Sequence, residues 1–323
     1  MSFMPLIRCA TVALTLAVGP VLADMPTLVI ASQAGGTVNW ELQTIKHHGL
    51  DEAQGFRLEI MEVAGKPAGQ IAFQGGEADV IVDDWIWVAR QRAAGQDIAF
   101  IPYSRAVGGV MVPHDSPAQT LQDLTGQAIG IAGGPNDKSW LILRAYAAGQ
   151  GFDLAAETEQ VYGAPPLIFR TALGGELGGA INFWHFMAKQ EAGGMRHLIS
   201  VADAAEALGM DPAMPLLGYV VQSELVATQP DLVSAFASAS RAAKAQLARS
   251  DADWDRLRPL MNADDDAEFA ALVAGFRAGI PSDAPMDEAS ARAMFRLMVE
   301  LGGPDLVGDA TDLPDGVFVP LGS

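Results

Sequence analysis

The sequence predicts an α/β protein divided into two compact units of similar plan, each a mainly parallel sheet flanked by helices. Three observations carry this. Short apolar segments alternate with amphipathic ones from Thr27 to Val221, the pattern of strands and helices in mainly parallel sheets. The chain has 323 residues, more than one hydrophobic core usually serves. Finally, the Gly-rich passage Gly75-Gly76-Glu77-Ala78-Asp79-Val80 leading to Asp84-Trp85 has an echo in Gly174-Gly175-Glu176-Leu177-Gly178-Gly179 leading to Asn182-Phe183-Trp184. The echo is one of order rather than of repeated sequence.

The amino end reads as a secretory signal over residues 1–23. Arg8 is the positive start and residues 9–18 are the apolar run. Gly19-Pro20 break it, and Val21-Leu22-Ala23 offers small residues for cleavage near Ala23. The run is short for a membrane span. Arg8 before Cys9 does not fit a lipid-anchor site, so a soluble exported protein is expected. Cys9 is the sole cysteine and would leave with the signal. The mature chain then has no disulfide, thiolate metal site or cysteine nucleophile. A net charge of -19 argues against nucleic-acid binding, which needs basic surface.

Residues 28–32 read as the first strand, followed by the turn Gly35-Gly36-Thr37-Val38-Asn39 and a helix over 40–48 with Asn39 as its cap. A strand over 56–63, the turn Gly65-Lys66-Pro67 and a helix over 68–73 come next. The strand 78–82 ends on Asp83-Asp84-Trp85, with a helix over 86–94 and a strand over 98–103 after it. Residues 108–113 read as a strand connecting to the second unit. That unit has strands at 128–132, 159–162, 179–182 and 196–200, with helices at 140–148, 166–173, 183–191 and 202–207 between and after them. Residues 216–221 form a strand that crosses back. From Asp231 the pattern is helical only, over 232–248, 267–278 and 287–301, with apolar stripes that belong to the core.

In open α/β sheets, ligands sit beyond the carboxyl ends of strands. Four such ends pair polar groups with an aromatic ring, as small-molecule pockets do. They supply the candidate ligand-binding residues: Thr37, Asn39 and Trp40; Asp83, Asp84 and Trp85; Gly133, Gly134, Asp137, Lys138, Ser139 and Trp140; Asn182 and Trp184. Neighbouring strand residues point to opposite faces, so Asp83 is assigned to the cleft and Asp84 to capping the next helix. Asn136, Asp137 and Ser139 are cap candidates for the helix at Trp140. The amino end of that helix is a seat for a polar or anionic ligand group, with Lys138 beside it. No metal site is expected, because the adjacent His47-His48 do not share a helix face. Gly-x-Ser-x-Gly is absent, and neither catalytic residues nor a cofactor are assigned.

Several stretches together resemble a known family: Thr37-Val38-Asn39-Trp40, Gln74-Gly75-Gly76-Glu77-Ala78-Asp79-Val80, the strand at 109–113, and Asp123-Leu124-Thr125-Gly126-Gln127-Ala128-Ile129-Gly130. The chain is similar to ABC-transporter substrate-binding proteins of the nitrate/sulfonate/taurine and thiamine-pyrimidine group. The resemblance implies a two-lobed periplasmic-binding-protein type II fold that closes on its ligand. Lobe 1 would comprise 24–107 with 222–323, and lobe 2 would comprise 108–221, with hinge strands near 108–113 and 217–221. It further implies a periplasmic monomer that delivers a small solute to an ABC permease and ATPase complex. Asp83 and the tryptophans favour an amino-bearing, pyrimidine-like heterocycle. The alternatives are a sulfonate, taurine or nitrate-type anion, or service as the partner of a sensor. A pyrimidine-synthase-like enzyme is disfavoured because the resembling synthase uses a cysteine-rich motif.

Overall fold

The computed structural model describes residues 25–320 apart from Ala34 and Asp283. The signal expected over 1–23 lies outside the described residues. The first lobe opens with β1 (Thr27–Gln33), α1 (Val38–His47), α2 (Leu50–Ala53), β2 (Arg57–Val63), α3 (Lys66–Gln74), β3 (Val80–Asp84), α4 (Trp85–Ala93) and β4 (Ile98–Ser104). The second follows with β5 (Gly109–Pro113), β6 (Ala128–Ala132), α5 (Lys138–Gly149), β7 (Glu159–Gly163), α6 (Pro165–Leu173), β8 (Gly179–Asn182), α7 (Trp184–Ala192), β9 (Met195–Ser200) and α8 (Val201–Ala207). The chain returns through β10 (Leu217–Gln222) and ends in α9 (Ser223–Thr228), α10 (Pro230–Arg249), α11 (Asp251–Met261), α12 (Asp266–Ala278) and α13 (Glu288–Val307).

Two five-stranded sheets share one plan. The first has the order β2-β1-β3-β10-β4 and the second β7-β6-β8-β5-β9. In the first, β1 lies parallel between β2 and β3, while β10 runs antiparallel between β3 and β4. In the second, β6 lies parallel between β7 and β8, while β5 runs antiparallel between β8 and β9. The sheets are therefore mixed, and the reversed strand in each is the one that has just arrived from the other lobe. Inserting a strand between two others demands close backbone approach. At Gly218, set opposite Asp83, a Cβ atom would lie 2.2 Å from the Phe100 ring. At Gly109 it would lie 2.6 Å from the Ile199 carbonyl oxygen.

Local details depart from the sequence reading. α1 begins at Val38 with Thr37 at its cap position, so Asn39 is a buried residue inside the helix and not its cap. α5 begins at Lys138, and its cap is Asp137, whose side chain accepts from the Trp140 N–H. α11 was not expected, since it is charged and carries Pro259 in its last turn. The Ser250 hydroxyl caps its start by accepting from the Asp253 N–H. α13 runs beyond its expected end, across a kink at Gly303.

The core has three parts. Leu28, Ile30, Trp40, Tyr219, Phe236, Trp254 and Phe276 pack one face of the first sheet against the carboxyl-terminal helices. A second cluster spans both lobes and includes Trp85, Phe100, Val110, Ile129, Trp140, Phe295 and Met298. A third lies under α6 and α7, around Met111, Ile168 and Met187. The terminal helices touch both lobes: α12 packs on α7, and α13 on both α4 and α5. No helix among the described residues is long and apolar enough to cross a membrane.

Candidate functional site

β3 and β8 occupy equivalent places in the two sheets and finish with the same device. At the end of β3, Asp83 Oδ1 accepts from the Asp84 N–H at 2.7 Å, and Oδ2 accepts from Gln70 Nε2 of α3 at 2.8 Å. At the end of β8, Asn182 Oδ1 accepts from the Phe183 N–H at 2.8 Å, and Nδ2 donates to the Pro165 carbonyl of α6 at 3.0 Å. Each side chain ties its strand end to the preceding helix. Both are nearly inaccessible to solvent. The charge follows the helix that is tied: α3 starts with Lys66, whose Nζ lies 2.6 Å from Asp83 Oδ1, whereas α6 starts with Pro165. Asp83 and Asn182 are therefore bound inside their own lobes, contrary to the expectation that Asp83 turns its carboxylate to a ligand.

Asp84 has two roles. Its Oδ1 accepts from the Trp87 N–H at 2.7 Å, which caps α4. Its Oδ2 lies 2.5 Å from Lys138 Nζ and 3.3 Å from Lys66 Nζ. Lys66 begins α3 in the first lobe, and Lys138 begins α5 in the second. One oxygen thus joins two ammonium groups from opposite lobes. Burial alone would raise the Asp84 pKa, but Lys138, Lys66 and the Trp87 N–H outweigh it and hold the carboxyl well below the usual range. Burial likewise opposes charge on Lys66, yet Asp84 and Asp83 hold its pKa above the ordinary lysine value. Gly133 (φ 95°) and Gly134 (φ 100°) have left-handed backbone angles that favour glycine. The turn they make brings Asp137 to its cap position and Lys138 to the junction. Burial pushes the Asp137 carboxyl upward, against the Trp140 and Ser139 N–H groups that it accepts from.

The four candidate tryptophans separate. Trp85 is fully buried against Phe295 and Phe318, at ring-centre distances of 6.5 and 5.9 Å. Trp140 is buried in the same cluster. Trp40 is also buried, edge-on to Trp254 at 5.9 Å and to Trp184 at 6.1 Å. Trp184 alone keeps some exposure, and it crosses between lobes. A Cβ atom on Gly275 of α12 would come within 2.7 Å of its ring. Beside it, Lys189 of α7 meets Glu268 of α12 at 3.0 Å. Burial, with a smaller contribution from Lys189, lowers the His185 pKa to about 4, so its imidazole is neutral at pH 7.

The structure thus brings Asp83, Asp84 and Lys138 together at the junction, and joins Trp40 to Trp184 along a second seam. Trp85 and Trp140 face the interior. Thr37 is at the cap position of α1, and Asn39 lies one turn from Gln43, whose Nε2 is 3.5 Å from Asn39 Oδ1. Sequence reasoning passed over Lys66, Gln70, His185 and Gly275. For Lys66 a signal existed: a cation directly before Pro67 at a helix start, followed by a strand ending in paired aspartates.

A family model described as NMT1/THI5 like matches residues 35–251. The chain belongs to the NMT1/THI5-like family. No curated protein matches it in sequence. Among solved structures, it is similar to the periplasmic aliphatic sulphonate binding protein SsuA from Escherichia coli. The identity is 17% and the TM-score 0.72, over 92% of this chain and 98% of that one. It is also similar to the alkanesulfonate-binding protein SsuA from Xanthomonas axonopodis pv. citri bound to MOPS (18%, TM-score 0.64, 90% and 97% covered). An ABC transporter structure from Parabacteroides distasonis matches at 16% identity and a TM-score of 0.67, with 92% and 99% covered. At these identities the likeness establishes the fold, which is the two-lobed periplasmic-binding-protein fold.

Proposed function

We propose that this NMT1/THI5-like chain is the solute-binding component of an ABC importer, working as a monomer in the periplasm after loss of residues 1–23, and that it takes a small organic anion of the sulfonate type. The lobes are assigned as 24–107 with 222–323, and 108–221, swinging on the strands near 108–113 and 217–221. The observation that carries the reading is the meeting of Lys66 and Lys138, from opposite lobes, on Asp84 Oδ2. A ligand oxyanion placed there takes over the role of that carboxylate oxygen and ties both lobes through charge-assisted hydrogen bonds. Such a ligand favours the closed arrangement, because only there do both ammonium groups reach it. The sulfonate-binding proteins among the similar structures support the same ligand class. The pyrimidine reading relied on Asp83 accepting from a ligand amino group. Both of its oxygens already serve Lys66, Gln70 and the Asp84 N–H, so nothing here favours a heterocycle. A site made of ion pairs and helix starts supports carriage of a solute as the role.

Calorimetry on the mature chain tests this, with MOPS and short alkanesulfonates compared against an aminopyrimidine. A sulfonate is expected to bind, and Lys138→Ala to weaken it about ten- to a hundredfold, the loss of one hydrogen bond to a charged group. Binding of the aminopyrimidine alone, or a Lys138→Ala variant with unchanged sulfonate affinity, would overturn the assignment.

A further inference from the structure

We propose that His47, His48 and Asp253 form a binding site for a zinc-type divalent ion that staples α1 to α11. In a continuous helix, neighbouring side chains diverge. His47 is the last residue of α1, however, and His48 follows at the cap position with φ -94° and ψ 2°. The two imidazoles consequently stand close, with ring centres 4.8 Å apart and planes at 82°. Asp253, in the first turn of α11, then comes in from 205 positions along the chain, and its Oδ1 lies 2.8 Å from His48 Nε2. One donor atom from each of the three residues lies within 4.8 Å of the other two.

Two imidazoles and one carboxylate are a recognised zinc donor set, with a fourth position left for water. Zinc holds such donors at about 2.0–2.2 Å, which in a tetrahedron sets them roughly 3.4 Å apart. The His48–Asp253 pair needs to open only slightly, and His47 needs to move inward by about an ångström on that same geometry. Both histidines are exposed, which leaves the His47 ring room to turn towards the pair that His48 already makes with Asp253. Behind them, Asp253 is already aimed. Its Oδ2 accepts from Gln246 Nε2 of α10 at 2.7 Å, the kind of outer contact that orients a metal-binding carboxylate. Arg256 brings an opposing charge, with Nη2 3.7 Å from Asp253 Oδ1. That same Nη2 lies 3.2 Å from Thr44 Oγ1 of α1, which gives it a partner away from the carboxylate.

The site stands about 15 Å from the start of α1, by the rise of a ten-residue helix. An ion there would stabilise the first lobe by mass action without entering the junction between lobes. The inference is independent of the ligand proposed above.

The test is calorimetric titration of the tag-free, chelator-stripped chain with zinc chloride, alongside cobalt(II) spectroscopy. One ion per chain is expected, with a visible cobalt band of tetrahedral type. His47→Ala and His48→Ala should each weaken binding at least tenfold, and Gln246→Ala about ten- to a hundredfold. His114→Ala, away from the cluster, should leave it unchanged. Both histidines are on the surface, so their variants remain informative even if Asp253→Asn disturbs α11. Absence of binding, or a His47→Ala/His48→Ala double variant that still binds zinc and gives the same cobalt spectrum, would overturn the proposal.

Discussion

The protein contains two clusters of lysine and carboxylate that look alike in composition and differ in what surrounds them. In the first lobe, Glu41 of α1 and Lys244 of α10 meet at 2.6 Å, both almost completely buried. The Tyr219 and Ser240 hydroxyls donate to Glu41 Oε1 at 2.7 and 2.6 Å, Lys244 donates to Ser240 at 2.7 Å, and the Lys244 ammonium lies 4.6 Å from the Tyr103 ring centre. At the junction, the Lys66 and Lys138 side chains remain 43% and 26% exposed, and the Lys138–Asp84 pair crosses from one lobe to the other. The buried cluster is closed on all sides by neutral hydroxyls and rings of its own lobe, so it has no room for an exchange of partners. The junction lysines are open to water, which the proposed exchange of one anion for another requires. The same residue types thus serve as an enclosed internal pair in one place and as a water-exposed contact between lobes in the other.

The strongest test of this contrast is removal of one buried partner. Lys244→Ala leaves Glu41 as an uncompensated interior charge and should cost about 3–5 kcal/mol in urea unfolding. The double replacement Glu41→Leu/Lys244→Met should recover most of that loss. If the single variant loses less than about 1 kcal/mol, the buried cluster is not closed and the contrast fails.

A pH titration of stability probes the dryness of the seam between lobes. His185 has its pKa depressed from 6.5 to about 4 by burial and then Lys189. A group depressed in the folded state adds stability above its unfolded pKa and loses it as pH falls through the folded value. Stability should therefore be level in this respect above pH 6.5 and fall by up to about 3 kcal/mol between there and pH 4. His185→Gln should flatten that slope, and an NMR titration placing the imidazole near 6.5 would show that water already reaches it.

The smallest expected effect is at the junction. Lys138→Met removes one of the two cations on Asp84 Oδ2 while Lys66 remains, so stability without added solute should change by no more than about 1 kcal/mol. A loss comparable to that of Lys244→Ala would mean that the junction pair is as fixed as the buried one.

Features set by neighbouring residues were legible in the sequence. Asp84 before Trp85-Ile86-Trp87 is a cap by its position, and the alternation of strand and helix is visible across both lobes. Features set by distant partners were not. Nothing near Asp83 shows that Lys66 and Gln70, on the preceding helix, consume its oxygens. Trp85 and Trp184 hold equivalent places after β3 and β8, yet Phe295 and Phe318 cover one while Gly275 makes room for the other. Both outcomes depend on the last third of the chain. An apolar strand also carries no mark of its direction, so the reversal of β5 and β10 awaited the sheet order. His47 and His48 were dismissed on helical spacing, which ceases to apply where the helix ends.

The placement of β10 sets the timing of folding. It fills the gap between β3 and β4, and the opposite side of β4 is completed only when Phe100 bonds to the backbones of Val317 and Val319. While the chain is being made, its first lobe lacks an interior strand until residue 222 has emerged, and lacks its final edge until residue 319 has. Long-range pairing of this kind is slow and leaves strand edges open in the growing chain. The part that is made first therefore cannot lock into its finished shape until the segments made last have joined it.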